Sequence, residues 1–478
     1  MERETILAIY EQGPEAVVAL VEGLLAQHQA ELAALAARVQ ALEDRLAKDS
    51  HNSHQPPSRD RPPKPQRKSL REPSGRNPGG QPGHRGTTLA WCATPDQVVR
   101  HRPARCAGCQ APLLTGRVVG DARRQVVDLP ELRLLTTEQV AERQQCPACG
   151  HVTQGVFPPE AVGAVSYGPR LRGVAVYLSA YQLVPYARTQ ELLADLFGCS
   201  FSAGTLARVV AACHAALAAT ETAIRQGVQQ APVAHFDETG LRVAGQPQWL
   251  HVASTDRLTH DGVQRQRGTA AMQTLGVLPG FGGVAVHDGL AAYGTFGCQH
   301  ALCNVHHLRE LTFVAEQYQQ EWAGACKALL QEMQGAVDAA RAAGRGQLDP
   351  AAVRQYETRY RDLALAGVAA NPAPAKPPGQ SGPPKRSPGG RLAERLGRHE
   401  GAALRFLHDF RVPFDNNQAE RDLRMVKVQQ KISGSFRTAL GAAQFCRIRG
   451  YLSTARKQGH HPLAALQAVC AGSPLVLT

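Results

Sequence analysis

From Val18 onward, apolar residues recur in steps of three and four: Val18, Val21, Leu25, Leu32, Leu35, Val39, Leu42 and Leu46, with His28 in the one polar slot. This spacing predicts a coiled coil within a helix over residues 1–48, because a period near 3.5 keeps one seam facing a partner. A lone amphipathic helix packed on its own domain gives a similar stripe, but its period lies nearer 3.6. Self-association is therefore the expectation. After Ser50 the periodicity stops. Residues 49–90 are rich in Pro, Gly, Ser, Lys and Arg and cannot bury a core of their own.

Helical patterning returns over 160–228. Leu171 to Leu183 is one segment stopped by Pro185, and Arg188 to Phe197 is a second. Gly198 then turns the chain into a helix capped by Ser202 that presents Thr205 and Arg208. Helix, glycine turn, helix is a helix-turn-helix pattern able to read DNA, although most such pairs are simply packing units. From Ala231 the period shortens. A strand is expected to end at Asp237, followed by Leu241–Val243 and Trp249–Ala253 around the turn Ala244–Pro247. Val277 to Val286, broken by Pro279 and Gly280, is another apolar run and leads into His287-Asp288-Gly289. Strands followed by helices over 308–410 predict an α/β domain, 229–478, with a helical insertion. Within that insertion Asn371 to Gly390 is Pro/Gly/Lys-rich and expected to be mobile, and helices resume at Leu392. Asp415, Asn416 and Asn417 are good helix starters, and the next helix keeps Leu423, Met425 and Val428 for its buried side.

Charge sharpens this outline. The 478 residues leave room for two or three domains, and the net charge of +13 points to an anionic polymer as partner. Eight Lys/Arg face two acids between Arg59 and Arg85, so Arg67, Lys68 and Arg85 are candidate DNA contacts on a basic arm. A plain solvated linker is the alternative. Between Arg411 and Lys457 there are ten Lys/Arg against three acids. Glu22 interrupts the longest apolar candidate for a membrane span, and Met1-Glu-Arg-Glu-Thr5 lacks a signal peptide's basic start. The expectation is a cytoplasmic protein without a membrane partner.

Three constellations carry chemistry. Cys106-x-x-Cys109 and Cys146-x-x-Cys149 form two knuckles, and four thiolates suit one structural Zn²⁺ in a module spanning 91–157. The gap of 36 residues between them has room for strands such as Gln125–Leu129 and Leu132–Val140. Asp237 and Asp288 at strand ends, with Glu420 in the first turn of a late helix, form a set able to hold two divalent cations around a phosphoryl transfer. Arg424, Lys427 and Lys431 share the face of Glu420, as suits a metal site beside a nucleic-acid backbone. Glu238 is a possible spare ligand, expected to turn away because adjacent strand residues face opposite sides. Cys303 and His306 offer two zinc-type ligands, which do not close a tetrahedron. A helix start with a buried Cys and a His orienting a neighbour is the preferred reading.

Together, D-E-T at 237–239, D-G-x-x-x-Y at 288–293 and D-N-N-x-A-E-R at 415–421 resemble the DDE transposases of bacterial insertion sequences, specifically the insertion-sequence sixty-six family's large subunit. Asn52 to Ser58 and Asn77 to His84 look like two N-terminal signatures of that family, with His54 and Asn77 replacing a usual serine and lysine. Cys303, His306 and Arg309 match its C-x-x-H-x-x-R. The resemblance implies a multidomain protein with a ribonuclease-H-like DDE core, preceded by the coiled coil, zinc module and helical segment. It implies Mg²⁺ at Asp237, Asp288 and Glu420, with Asn417 and Arg421 flanking the site and Arg424 and Lys427 on phosphates. It further implies terminal inverted repeats and target DNA as partners, association with the nucleoid, and small accessory transposition proteins. A structure-selective nuclease of the same fold, or a catalytically silent DNA-binding descendant, are the alternatives.

Overall fold

The computed structural model describes residues 3–49, 51–53, 83, 86, 88–374 and 386–478. Arg67, Lys68 and Arg85 lie outside the described residues, as do most of the two N-terminal signatures and the middle of the 371–390 stretch. Two helices open the chain, Arg3–Tyr10 and Pro14–Ala47. They are separated at Gly13, whose φ of +105° followed by Pro14 breaks the expected continuous helix. The 34-residue second helix buries none of its residues, and its stripe from Val18 to Leu46 stays exposed. Its last turn leans on the insertion, where the Tyr318 hydroxyl donates to Asp44 at 2.6 Å.

Each cysteine knuckle is closed by its own main chain. Cys106 N–H donates to Ala111 O at 2.9 Å and Cys146 N–H to His151 O at 2.8 Å. The second knuckle tips a short antiparallel hairpin, β1 (Arg143–Gln145) and β2 (Val152–Gln154). Gln125–Leu129 and Leu132–Val140 are not strands. Pairing occurs where the knuckle's tight turn brings two segments back together, and the residues between the knuckles have no such closure. All twelve cysteines are free thiols.

The principal sheet has five strands: β3 (Val233–Val243), β4 (Gln246–Ser254), β5 (Thr259–Gln264), β6 (Val284–His287) and β7 (Gln299–Leu302). Their order is β5-β4-β3-β6-β7, with β3, β4 and β5 an antiparallel meander and β6 and β7 parallel to β3. The expected strands up to Asp237 and over 241–243 are one strand, since Glu238 to Gly240 stay paired with β4. The turn is tighter than expected, with Ala244 and Gly245 both at positive φ as a two-residue hairpin requires.

Alternation along β3 sorts the layers. Ala234 and Phe236 face a core shared by the helices of 169–230 and the late helices Ala439–Lys457 and Pro462–Cys470. The helical segment ahead of the sheet is therefore packed into the same core as the sheet. Its Ser202 caps Ala203–Ala216 as expected, accepting from Thr205 N–H, while Leu206, Val209, Val210 and Cys213 are buried. On the opposite face, Val286 and Ala301 pack under the insertion helices Asn304–Tyr318, Glu321–Ala342, Pro350–Ala370 and Pro388–Arg398. The ends of the Pro/Gly/Lys-rich stretch are tied down, because Ser387 donates to Asn371 Oδ1 at 2.7 Å and Asn371 donates to Gln320 at 2.8 Å. The next helix accordingly starts at Pro388, ahead of Leu392. Among the described residues no single helix is long and apolar enough to cross a membrane.

Candidate active site

The helix Asn417–Ser433 packs on β3 and β4 of the meander. It buries Ala419, Leu423 and Val426 against Leu241, Val243, Leu250 and Val252. Of the three residues expected inside, Leu423 is buried, whereas Met425 and Val428 only border this core. The i, i+4, i+7 line through 419, 423 and 426 sets the buried phase, so 425 and 428 fall to its sides.

Its entry is built differently from a simple cap. Asp415 Oδ1 accepts from Asn417 N–H at 3.0 Å, leaving Asn416 for other work. Asn416 is 1 % exposed. Its Nδ2 donates to Phe236 O at 2.8 Å and its Oδ1 meets His235 Nδ1 at 2.8 Å. The Cys303 thiol accepts from Asn416 N–H at 3.2 Å. The helix start is thereby fastened to the strand residue just before Asp237.

Asp237 sits just past the stretch where β3 pairs with β6, which ends at His235. Asp288 follows β6 directly, and its Oδ1 accepts from Leu290 N–H at 2.9 Å. Asp237, Glu238 and Asp288 each place a carboxylate oxygen within 4.8 Å of the others. Glu238 does face the opposite side of β3, toward Tyr293, yet its carboxylate still reaches this group at the end of the sheet. Burial, then the charge of Glu238, pushes the Asp237 carboxyl up to about 8, with Asp288 and Glu420 adding to it. The Glu238 N–H, donating to Asp237 Oδ1 at 2.8 Å, opposes that shift.

Glu420 stands outside the 4.8 Å group, although its charge acts on Asp237. It faces His306, Nε2 to Oε1 at 3.5 Å. Hydrogen bonding to His306 holds the Glu420 carboxyl below its usual range against its burial, with Arg309 and Arg424 pulling the same way. Cys303 is buried at a helix start, and the His306 imidazole faces the Glu420 carboxylate. Among the described residues Cys303 and His306 belong to no group of three ligand atoms lying within 4.8 Å of one another. The same holds for the two cysteine knuckles, which do not converge on one centre. Within each knuckle, hydrogen bonds from the partner cysteine and its neighbours lower the thiols of Cys106 and Cys146.

Arg421, Arg424, Lys427 and Lys431 are exposed on the Glu420 helix. Lys427 also donates to Gly240 O at 2.8 Å, pinning the helix to β3. Not all of the late basic stretch faces outward. Arg447 pairs with Glu221 at 2.7 Å, Arg449 lies over the Tyr181 ring, and Lys457 pairs with Asp422 at 2.8 Å in the interior. The Lys457–Asp422 pair, with Ser453 donating to Asp422 at 3.0 Å, bolts the Glu420 helix to the last long helix. Its sequence signal was hidden, because Asp422 and Lys457 sit 35 residues apart. Arg267 likewise escaped notice; it pairs with Glu238 at 2.6 Å and approaches Asp288 at 3.4 Å.

Two family models match the chain. Residues 10–90 match a family of unknown function (DUF6444). No curated protein matches the chain. The second match, Transposase IS66 family, covers residues 164–444, a span that includes the whole sheet, the insertion and the carboxylates described above. The chain belongs to the IS66 family of transposases.

Proposed function

We propose that this transposase binds the ends of its element and catalyses metal-dependent DNA strand cleavage and strand transfer, with Asp237, Asp288 and Glu420 holding two Mg²⁺. The observation that carries the reading is the Asn416 clamp, which brings the Glu420 helix onto β3 beside Asp237 while β6 delivers Asp288. A strand order with β4 the one antiparallel member supports a ribonuclease-H-like core. The donor chemistry fits divalent cations: Asp237 and Asp288 offer carboxylate oxygens within 4.8 Å of each other, and the Asp237 carboxyl is driven up to about 8 by burial first and then by the neighbouring carboxylates. Bound there, the ions would lower the pKa of an attacking water, align a 3′-hydroxyl and offset charge on the leaving oxygen.

The chain's own groups then have distinct tasks. His306 orients Glu420, and the Lys457–Asp422 bolt and the Asn416 clamp fix the helix that carries it. Arg421, Arg424 and Lys431 offer exposed cations to the DNA backbone, and Lys427 combines that role with its hold on Gly240. The exposed apolar stripe of Pro14–Ala47 supports a homo-oligomer through a coiled coil, which would hold two DNA ends together. Four thiolates in two preformed knuckles support one structural Zn²⁺, once the knuckles close on each other. Nicking of a duplex carrying the element's end in Mg²⁺, and its loss in Asp237→Asn, test the reading. Nicking that persists in that variant contradicts it.

A further inference from the structure

Two motif residues have no place among the three carboxylates assigned to metal: the Glu of D-E-T and the Tyr of D-G-x-x-x-Y. They meet in space. Tyr293, 1 % exposed, donates its hydroxyl to Glu238 Oε2 at 2.6 Å. Glu238 Oε1 accepts from Arg267 Nε at 2.6 Å, and the Glu238 side chain is wholly buried. A carboxylate engaged this tightly at both oxygens would have to give up strong charge-assisted bonds to turn toward a cation.

Arg267 is the beneficiary. Its guanidinium lies 5.0 Å from the Trp249 ring centroid, and Nη2 is 3.4 Å from Asp288 Oδ2. The loop beneath it is held as well, since buried His251 meets Gln266 O through Nε2 at 3.2 Å. Yet the side chain is 39 % exposed. Its Nη1 has no partner among the described residues. An arginine serving structure alone would be expected to have its fork filled. This one is pinned along Nε, stacked on an indole, held by Nη2 to Asp288, and open at Nη1. Glu238 supplies its nearer counter-charge at 2.6 Å and Asp288 the farther one at 3.4 Å.

We propose that Arg267 is a catalytic residue that donates to a non-bridging oxygen of the scissile phosphate, and that Glu238 and Tyr293 are its positioning residues and not metal ligands. This role rests on the DNA-cleaving reading above. In that step a water oxygen bonds to phosphorus as the P–O3′ bond breaks, leaving a 5′-phosphate and a 3′-oxygen that takes up a proton. Negative charge builds on the non-bridging oxygens, and a preorganised planar fork is suited to receive it.

The test is single-turnover nicking of a labelled duplex bearing the element's end, with Mg²⁺ titrated. It compares the wild type with Arg267→Ala, Arg267→Lys, Glu238→Gln, Tyr293→Phe and the Arg267→Ala/Glu238→Gln double variant. Arg267→Ala should slow nicking at saturating DNA and Mg²⁺ by roughly 10²-fold, as for loss of one oxyanion donor, without a higher Mg²⁺ requirement. Arg267→Lys should recover part of the rate. Tyr293→Phe, which keeps the ring, should slow nicking less, and the double variant should be no slower than Arg267→Ala. Wild-type rates in Arg267→Ala overturn the proposal. So does a raised Mg²⁺ requirement in Glu238→Gln that Arg267→Ala does not share, because it would make Glu238 a ligand. Should the wild type itself show no Mg²⁺-dependent nicking, the DNA-cleaving reading fails first and this role falls with it.

Discussion

The side-chain amide of Asn416 donates to the main-chain carbonyl of Phe236 at 2.8 Å, one residue before Asp237. Through that bond two segments 180 residues apart are set in register, one bearing Glu420 and the other Asp237. Replacing Asn416 with Ala leaves a buried carbonyl and the His235 ring without their partner. A loss of about 2–3 kcal/mol in stability is expected for such a network, together with a larger fall in DNA cleavage than in DNA binding. Chemical denaturation and a nicking assay on the same preparation check both.

His306 predicts a narrower effect. Its imidazole faces the Glu420 carboxylate at 3.5 Å, from a helix at whose start Cys303 accepts from Asn416 N–H. His306→Ala should lower cleavage roughly 10- to 100-fold, the range expected when a partner behind a metal ligand is lost. His306→Gln, which can still donate to the carboxylate, should recover part of it. Equal loss in both variants would contradict an orienting role.

Much of this arrangement was legible in the chain. Asp288 and Glu420 stood out because each sits at an element boundary marked by local pattern, whereas Asp237 was read as a strand end and lies within β3. The Ser202 cap and the insertion helices were readable for the same reason. What escaped were relationships set by tertiary packing. The continuity of β3 through Glu238 depends on β4 lying alongside, which residue types at 238–240 do not announce. Asn416 looked like a helix cap because Asn caps helices, but a neighbouring aspartate took that task and released it. Arg447, Arg449 and Lys457 counted toward a basic surface, and only packing shows them turned inward. Arg267 carried no motif at all.

Asp261 makes stability depend on pH. It lies on β5 with Oδ1 lacking a hydrogen-bond partner among the described residues. Burial, reinforced by Asp422, pushes its carboxyl up to about 8, against the pull of Arg449 and Lys457. Because that value lies above the ordinary carboxylate range, the folded protein keeps a proton that the unfolded chain has released. The associated stability is present in acid and lost as pH rises from about 4 toward 8. Asp261→Asn removes this linkage. Its Tm should match the wild type near pH 4 and gain on it steadily up to pH 8; a gap that does not change with pH would contradict the assignment.

The N-terminal helix offers an independent prediction. Leu25 and Leu32 are 55 % and 53 % exposed on a stripe that no described residue of the chain covers. If a second copy covers it, Leu25→Glu with Leu32→Glu should shift the protein to a lower oligomer by light scattering. Cleavage of single ends should survive, and paired-end joining should fall at least tenfold, since two like charges in a coiled-coil seam cost several times the thermal energy. An unchanged oligomer would assign the stripe to another partner.

The most direct test of the central claim is strand joining on a labelled duplex carrying the element's end, in Mg²⁺, for the wild type beside Glu420→Gln. Cleaved and joined products are expected from the wild type and neither from the variant, with duplex binding retained by both. Cleavage and joining by Glu420→Gln at wild-type rates would contradict the claim.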